Sequence, residues 1–273
     1  MGQPKPINMS KHLFIIVIPG SGSKKDGFSD KFQKDLKKFT KKTPLQDNYT
    51  VTECLPFNQS GIDSDQAAMF DRMKENNKLG GILSLRKAFL GIFGDAVLFE
   101  SDSTNPDSAY YRIHNYMKSF FEQVNQQMLD YDESHLVIVA GSMGIHVLSC
   151  YIWDADKGIR VFENEPATAT NNLKNLSCLA TVGCNIPLYV SANQPDQIIP
   201  IAKRNEAFTW DNYYDKDDVL GWPLKPLCPA YDALVSDYQI NTGPYVGSHV
   251  KYWNDNSFTK PFTKKLVSIY EGM

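Results

Sequence analysis

The stretch from residue 136 to residue 155 constrains the fold of this chain more than any other. Five apolar residues, LVIVA at 136–140, are followed at once by the small-residue turn GSMG at 141–144 and then by an apolar segment that ends at Ala155. A continuous apolar run rich in β-branched residues is typical of a parallel strand that is covered on both faces. We therefore expect a buried strand, a tight turn and a helix packed against that strand.

Similar apolar runs recur along the chain and alternate with helical patterns. The 273 residues, 42% of them hydrophobic, are enough for one large domain with a sheet buried on both faces. The alternation predicts the α/β class, with a mostly parallel central sheet flanked by helices on both faces. The predicted strands are 13–18, 49–57, 95–99, 136–140, 178–183, 186–190 and 207–213. The predicted helices are 26–42, 110–131 and 143–155.

One domain is expected over residues 11–273, preceded by a disordered leader at 1–10. Residues 61–92 are the expected insertion or cap. Within and just beyond this insertion, the segment 79–93 is apolar and rich in glycine. It would suit a cap over an apolar pocket or a contact with a lipid surface, and it would equally suit an ordinary core helix.

Composition argues against several classes of protein. The net charge is −3, and aspartates interrupt the lysines between residues 24 and 42. We therefore expect a solvated helix face there and no nucleic-acid partner. The five cysteines are odd in number and lack CxxC spacing. They predict buried free thiols in a reducing compartment and no metal site.

The lengths of the apolar runs also indicate in which cellular compartment the protein is expected. No apolar stretch reaches the ~20 residues of a membrane span. The N-terminal run ends at Pro19-Gly20 without the small-residue pattern of a signal-peptide cleavage site. A cytoplasmic protein without a stable membrane span is expected, and export by a route independent of a signal peptide is left open.

The turn at 141–144 carries the candidate nucleophile. A strand-to-helix turn this tight puts its apex residue, Ser142, in a strained conformation, and the residues two before and two after must be small. Ala140 and Gly144 meet that demand. The hydroxyl lies beside a helix N-terminus, where the backbone N–H of Met143 can stabilise a developing oxyanion. The alternative is a small-residue turn in an ordinary strand–helix unit.

The segment AGSMG at 140–144 resembles the GxSxG nucleophile elbow of the α/β-hydrolase superfamily, with alanine for the first glycine. The resemblance is to lipase- and esterase-like members, and it runs from VIPGSG through AGSMG and TVGCNIPL to SHVKYW. It implies the α/β-hydrolase fold and a Ser-His-Asp triad that forms an acyl-enzyme on a small-molecule or lipid ester. It also implies no cofactor and allows peripheral contact with lipid. An acyltransferase, an amidase or a non-catalytic binding protein would share these features.

Chain order selects the base. In this superfamily the serine comes first, then the acid, then the histidine. Only His146 and His249 follow Ser142. His146 lies one helical turn beyond the serine, so we expect it to be a packed or hydrogen-bonded core histidine. His249 follows a glycine-rich loop late in the chain and is the expected base.

Two loops each contain a candidate for the catalytic acid. Asp196 and Asp218 each follow a strand-like run, as the acid must. The resemblance favours Asp218, because lipase-like members carry a TxGSPL strand, a Trp-x-Asn-x-Tyr segment and then an Asp-Pro-Val turn with the catalytic aspartate. Here TVGCNIPL is followed by Trp210 in WDNYY and by Asp218 in DVLG. Asp217 and Asp196 remain as reserves.

The turn PGSG at 19–22, after the first strand, fits neither a Walker loop nor a dinucleotide fingerprint. By the resemblance it holds the second oxyanion donor, at Ser21 or the adjacent Gly20, although a surface turn is the alternative. Three tryptophans flank the expected acid and base and are expected to line the substrate site. They are Trp210, Trp222 and Trp253.

Overall fold

The structure is a computed structural model that describes residues 10–21, 26–76, 94–97, 99–100, 103–164, 172–243 and 247–273. In these ranges six strands form one sheet in the order β2-β1-β3-β4-β5-β6, and every neighbouring pair is parallel. The predicted α/β class and parallel sheet are therefore confirmed. The strands are β1 (Lys11–Ile18), β2 (Tyr49–Glu53), β3 (Glu133–Gly141), β4 (Leu176–Val182), β5 (Thr209–Asp215) and β6 (Val235–Ile240).

Helices connect the strands, as parallel strands require. They are α1 (Asp30–Thr40), α2 (Pro56–Gln59), α3 (Ile62–Asn76), α4 (Ala109–Met128), α5 (Met143–Lys157), α6 (Ile186–Val190), α7 (Pro229–Leu234) and α8 (Asn256–Glu271). No helix in the described ranges is both long enough and apolar enough to cross a membrane.

The sheet is covered on both faces, as its apolar runs predict. Along β1 the odd-numbered residues from 13 to 17 belong to a core formed with Phe32 of α1 and Phe258 of α8. The even-numbered residues from 14 to 18 belong to the core on the other face, with Met117 of α4 and Ile145 of α5. Because successive side chains of a strand point to opposite faces, one apolar run serves both cores.

The order of the strands decides where a site can form. From β1 the chain goes outward to the edge strand β2, and it then returns to the other side of β1 to form β3. The connections that leave the carboxyl ends of β1 and β3 therefore run in opposite directions and leave a crevice between them. Ligands of open α/β sheets bind in such a crevice. Pro19 to Ser21 and Ser142 follow these two strand ends.

The strand predicted at 95–99 is wrong. Residues 94–97 and 99–100 are helical, and the ring of Phe99 lies 4.7 Å from that of Tyr110. A four-residue apolar run fits the helical period as well as the strand period, so the pattern alone could not decide.

The strand predicted at 186–190 is also wrong, because these residues form α6. Proline at position 187 lies in the first turn of this helix, where its missing N–H is tolerated, whereas in a central strand it would remove a ladder hydrogen bond. In addition, β4 already has β3 on one side and β5 on the other.

Three sequence expectations fall wholly or partly outside the described residues. They are the leader at 1–10, of which residue 10 alone is described, the insertion at 61–92, where α3 is described, and the apolar segment at 79–93. The cysteines, in contrast, are all described. Each is a free thiol, four are buried and Cys150 is half-buried, as predicted.

Candidate active site

Ser142 occupies the turn between β3 and α5 with φ 49° and ψ −128°. Residues with a Cβ rarely adopt a positive φ, and such strain costs on the order of 1–3 kcal/mol. The turn is held from the neighbouring strand, since the Ser142 N–H donates to the carbonyl oxygen of Val182 at 3.1 Å. The strained apex that the tight turn predicts is present.

Glycines let the loop after β1 lie directly against this turn. A Cβ on Gly144 would come 2.3 Å from the carbonyl oxygen of Pro19, and a Cβ on Gly20 would come 2.5 Å from the Cβ of Ser142. Neither distance is sterically allowed. The backbone around Gly20 and Ser21 is therefore brought beside the Ser142 hydroxyl, on the same side as the first turn of α5, which begins at Met143.

The serine, a histidine and an aspartate form one hydrogen-bonded chain. His249 Nε2 lies 2.8 Å from Ser142 Oγ, and His249 Nδ1 lies 2.8 Å from Asp218 Oδ2 and 3.0 Å from Asp218 Oδ1. The imidazole side chain is 14% exposed and the carboxylate is fully buried. The three side chains come from the ends of β3 and β5 and from the loop after β6, in the chain order serine, acid, histidine.

The environment of Asp218 keeps it ionised. Burial alone would raise the pKa of this carboxyl, but hydrogen bonds and the charge interaction with His249 outweigh it and lower the pKa below its usual value. Two further donors contribute: the Leu220 N–H at 3.0 Å and the Tyr252 hydroxyl at 2.9 Å. Asp218 can therefore act as the anionic partner of His249.

Tyr252 is a site residue that the sequence reasoning missed. Its hydroxyl donates to Asp218 Oδ2 and accepts the Asp215 N–H at 2.9 Å, so it joins the acid loop to the end of β5. The available signal was its position three residues after His249 in the segment SHVKYW.

A second carboxylate anchors the loop that carries the histidine. Asp215 Oδ2 accepts the Thr242 N–H at 2.6 Å and lies 2.9 Å from the Thr242 hydroxyl, which is also 3.0 Å from the carbonyl oxygen of Ser248. Ser248 precedes His249 directly. Burial opposes the ionisation of Asp215, but these hydrogen bonds and the Asp217 N–H outweigh it and lower the pKa.

The reserve acids lie elsewhere. Asp196 is exposed on the short 3₁₀ helix Pro195–Gln197. Asp217 is half-buried, and its N–H donates to Asp215 Oδ1. The structure thus brings Asp218 to His249, and it brings neither reserve there.

His146 lies away from the serine hydroxyl, on the wall of α5. Its Nε2 is 2.6 Å from Glu100 Oε1, and its ring stacks on that of Tyr189 with centroids 3.8 Å apart. The position agrees with the expectation of a packed, hydrogen-bonded histidine.

A cavity of about 70 Å³ opens at the serine. Of the three tryptophans predicted to line the site, Trp253 lines this cavity. Trp210 is 1% exposed and its Nε1 donates to Thr181 Oγ1 inside the core, so the expectation that it lines the site is wrong. Trp222 is 43% exposed and is not among the described lining residues, so that expectation is corrected too. The lining residues are Gly20, Ser21, Gly141, Ser142, Val182, Leu220, His249, Val250, Tyr252 and Trp253.

Comparison with known proteins adds little. No protein-family model matches the chain, and no curated protein matches its sequence. Among solved structures, a cutinase-like protein from Cryptococcus sp. is similar at 7% identity and a TM-score of 0.39, over 96% of this chain and 97% of that chain. Likeness at this level carries no functional argument.

The arrangement combines the parts that activate an alcohol. An imidazole nitrogen within hydrogen-bond distance of a serine hydroxyl can take its proton, and a buried carboxylate on the other nitrogen stabilises the imidazolium that results. The first N–H groups of a helix have no intrahelical acceptor, so that of Met143 is available to a negatively charged oxygen beside Ser142. The Ile145 N–H is already used, since it donates to the Ser142 carbonyl oxygen at 3.1 Å.

Proposed function

We propose that this protein is a serine hydrolase of the α/β-hydrolase type that cleaves carboxylic esters through Ser142, His249 and Asp218. The observation that carries the proposal is the hydrogen-bonded chain from Ser142 Oγ through His249 to Asp218, anchored on a serine with φ 49°. A strained serine turn persists only where the surrounding structure compensates for its cost, and such strain clusters at functional sites.

In the first half-reaction Ser142 Oγ attacks the carbonyl carbon of the ester while His249 Nε2 takes the hydroxyl proton. The carbonyl electron pair moves to the oxygen, and the N–H groups of Met143 and Ser21 stabilise this oxyanion. When the intermediate collapses, the C–O bond to the alcohol breaks and His249 gives its proton to the leaving oxygen. Asp218 holds the imidazole in the required tautomer and stabilises its charged form.

The second half-reaction repeats these steps with water. His249 takes a proton from the water as its oxygen attacks the acyl carbon, and the same N–H groups stabilise the second oxyanion. Collapse of this intermediate breaks the bond to Ser142 Oγ, which recovers its proton from His249. The carboxylic acid leaves and the free serine is restored.

The cavity suggests the kind of ester. At about 70 Å³ it holds the ester group and only a few further carbons, so the rest of the substrate extends outside. Two exposed apolar side chains flank the proposed catalytic residues: Val219, which is 65% exposed, follows Asp218, and Val250, which is 60% exposed, follows His249. Val250 lines the cavity, and these apolar groups next to the proposed catalytic residues favour a small apolar ester or a lipid ester, with peripheral contact to the lipid.

A fluorophosphonate probe tests the nucleophile. Wild type is expected to be labelled and Ser142→Ala is not, because the probe bonds to an activated serine oxygen. Ser149→Ala is the matched control, since it removes another half-buried serine hydroxyl, from the helix that follows Ser142, and its labelling should equal that of wild type. An unlabelled wild type, or a labelled Ser142→Ala variant, contradicts the proposal.

A substrate series tests the reaction type. p-Nitrophenyl esters of increasing acyl length should be hydrolysed to the free acid, and the matching anilides should react far more slowly. If anilides react as fast, the protein is an amidase. If an added alcohol receives most of the acyl group in water, it is an acyltransferase.

A further inference from the structure

A second cavity lies between α1 and the edge strand β2, with a volume of about 490 Å³. It shares none of its described lining residues with the cavity at Ser142. We call it the basic cleft. It is lined by Gln33, Lys34, Lys37, Thr40 and Lys41 of α1 and its end, and by Gln46, Asp47, Tyr49 and Val51.

Three lysines and one aspartate, Asp47, line this cleft. Lys34, Lys37 and Lys41 come from successive turns, and in the described part of the chain no carboxylate lies within ion-pair distance of any of them. Lys31 on the same helix differs, since it pairs with Asp35 at 2.5 Å. Unpaired positive charge is therefore concentrated in this cleft, although the chain as a whole has a net charge of −3.

The negative end of the α1 dipole stabilises Lys37 in the last turn of the helix, but the repulsion among the three lysines remains without a counter-charge. Like charges three and four residues apart on a helix repel each other, and a concave surface focuses their potential. A bound anion removes the repulsion and gains charge-assisted hydrogen bonds. Neutral polar side chains line the cleft beside the lysines: Gln33, Thr40, Gln46 and Tyr49.

We propose that the basic cleft binds a multiply charged phosphate ester. Each lysine offers three N–H donors and a compact charge, and a phosphate group offers three acceptor oxygens and up to two charges. A single carboxylate would neutralise one ammonium group, whereas a polyphosphate or a phosphate monoester neutralises two or more. Val51 is the aliphatic residue of the lining, so the cleft is suited to a polar ligand.

This binding does not depend on the proposed hydrolase activity. The phosphate can belong to a soluble metabolite or to the head group of a lipid, and both sources present the same chemistry to the lysines. Two probes separate them. Inositol hexakisphosphate, titrated by calorimetry at physiological salt, represents the soluble source. Vesicles of equal parts phosphatidylcholine and phosphatidic acid, with pure phosphatidylcholine as the blank, represent the lipid source in co-sedimentation.

A matched pair of double variants gives the decisive comparison. Lys37→Gln with Lys41→Gln removes two charges that line the cleft. Lys38→Gln with Lys42→Gln removes two charges from the adjacent positions, which do not line it. All four lysines are exposed, so neither variant disturbs the core. Both variants change the net charge equally, and circular dichroism should show that both are folded.

The cleft variant should bind at least about tenfold more weakly than wild type, and the control should stay within about twofold. Loss confined to the soluble probe or to the vesicles supports the proposal and identifies the source. Equal weakening in both variants overturns it, because diffuse attraction to a basic surface would then account for binding. Failure of wild type to bind either probe overturns it as well.

Discussion

His249 lies between two oxygen atoms from distant parts of the chain, and the acid is the partner that mutation can test most cleanly. Asp218→Asn keeps the size of the side chain but removes the charge and favours the wrong tautomer of the imidazole. We expect kcat on p-nitrophenyl acetate to fall by up to ~10⁴. Asp196→Asn, an exposed aspartate at the competing position, should stay within about twofold of wild type. The reverse ranking would transfer the role of acid to Asp196.

Tyr252 acts through Asp218 and is a positioning residue. Tyr252→Phe removes a hydrogen bond that helps to lower the pKa of Asp218, and it leaves the Asp215 N–H without its acceptor. We expect kcat to fall by about threefold to tenfold, from the loss of ~1 kcal/mol of hydrogen bonding. The loss should grow as the pH falls, since the pKa of Asp218 rises in the variant and more of it is protonated.

A control separates this effect from general destabilisation. Tyr238→Phe removes a hydroxyl from an exposed tyrosine on β6 and keeps its ring stacked on Tyr213. Its activity–pH profile should match that of wild type. An unchanged profile in Tyr252→Phe, with lower stability alone, would reduce Tyr252 to a structural role.

At the scale of elements, the unit formed by β3, the serine turn and α5 depends on the close approach of the loop after β1. Gly144→Ala places a methyl group where the Pro19 carbonyl oxygen lies, 2.3 Å away, and neither backbone can move without disturbing Ser142. We expect a loss of about 1–3 kcal/mol in the free energy of unfolding, measured in urea, together with a loss of fluorophosphonate labelling.

Gly272→Ala is the control for this element. It adds the same methyl group near the end of α8, where the nearest atom is 3.4 Å away. It should change the free energy of unfolding by less than about 0.5 kcal/mol and leave labelling intact. If Gly144→Ala behaves in the same way, the loop after β1 does not restrain the serine turn.

For the whole molecule, a buried neutral histidine couples stability to pH. His114 is fully buried and its Nε2 donates to the Val147 carbonyl oxygen at 3.3 Å. Burial, reinforced by the positive charge of Arg160, lowers its pKa from 6.5 to about 3. In the unfolded chain the imidazole of His114 binds a proton more tightly than in the folded protein. The stability contributed by the neutral side chain is therefore lost as the pH falls below 6.5 toward about 3.

His114→Gln should flatten this dependence. The variant is less stable near neutral pH, but between pH 6.5 and 4 its free energy of unfolding should fall less steeply than that of wild type. One proton contributes a slope of at most about 1.4 kcal/mol per pH unit. Urea unfolding at several pH values measures the slope. Identical slopes in the two proteins would show that His114 does not take up a proton on unfolding.

At lower pH, the protonation of carboxylates also lowers the free energy of unfolding. The pKa values of Asp156, Asp215 and Asp218 are lowered by hydrogen bonds, and those of Asp156 and Asp218 also by charge partners, which together outweigh burial. Their stabilising contribution is present above the usual aspartate value of 3.8 and is lost as the pH falls below it.

Local features of the fold can be predicted from the amino-acid sequence alone. The buried strands at 13–18 and 136–140 follow from continuous apolar runs, and the strained serine turn follows from steric limits among residues next to one another in the chain. Short apolar runs were less informative. The helical residues at 95–97, 99 and 186–190 were expected in strands, because four or five residues fit either period. The strand β6 was missed because its residues are largely polar.

Contacts between segments that are distant in the chain can be read only from the tertiary structure. From the residues alone, Asp196 and Asp218 were equivalent, and a family resemblance ranked them. In the folded chain only Asp218 is close to His249. The pairing of β5 with β4 positions Asp218, and the contact of Thr242 with Asp215 anchors the loop before His249. The sequence also did not show which aromatic side chains reach the site. Tyr252 contacts Asp218 and was not predicted, whereas Trp210 was predicted to line the site and lies in the core. Which side chains meet at the ends of parallel strands depends on strand order, and strand order is set by packing over the whole sheet.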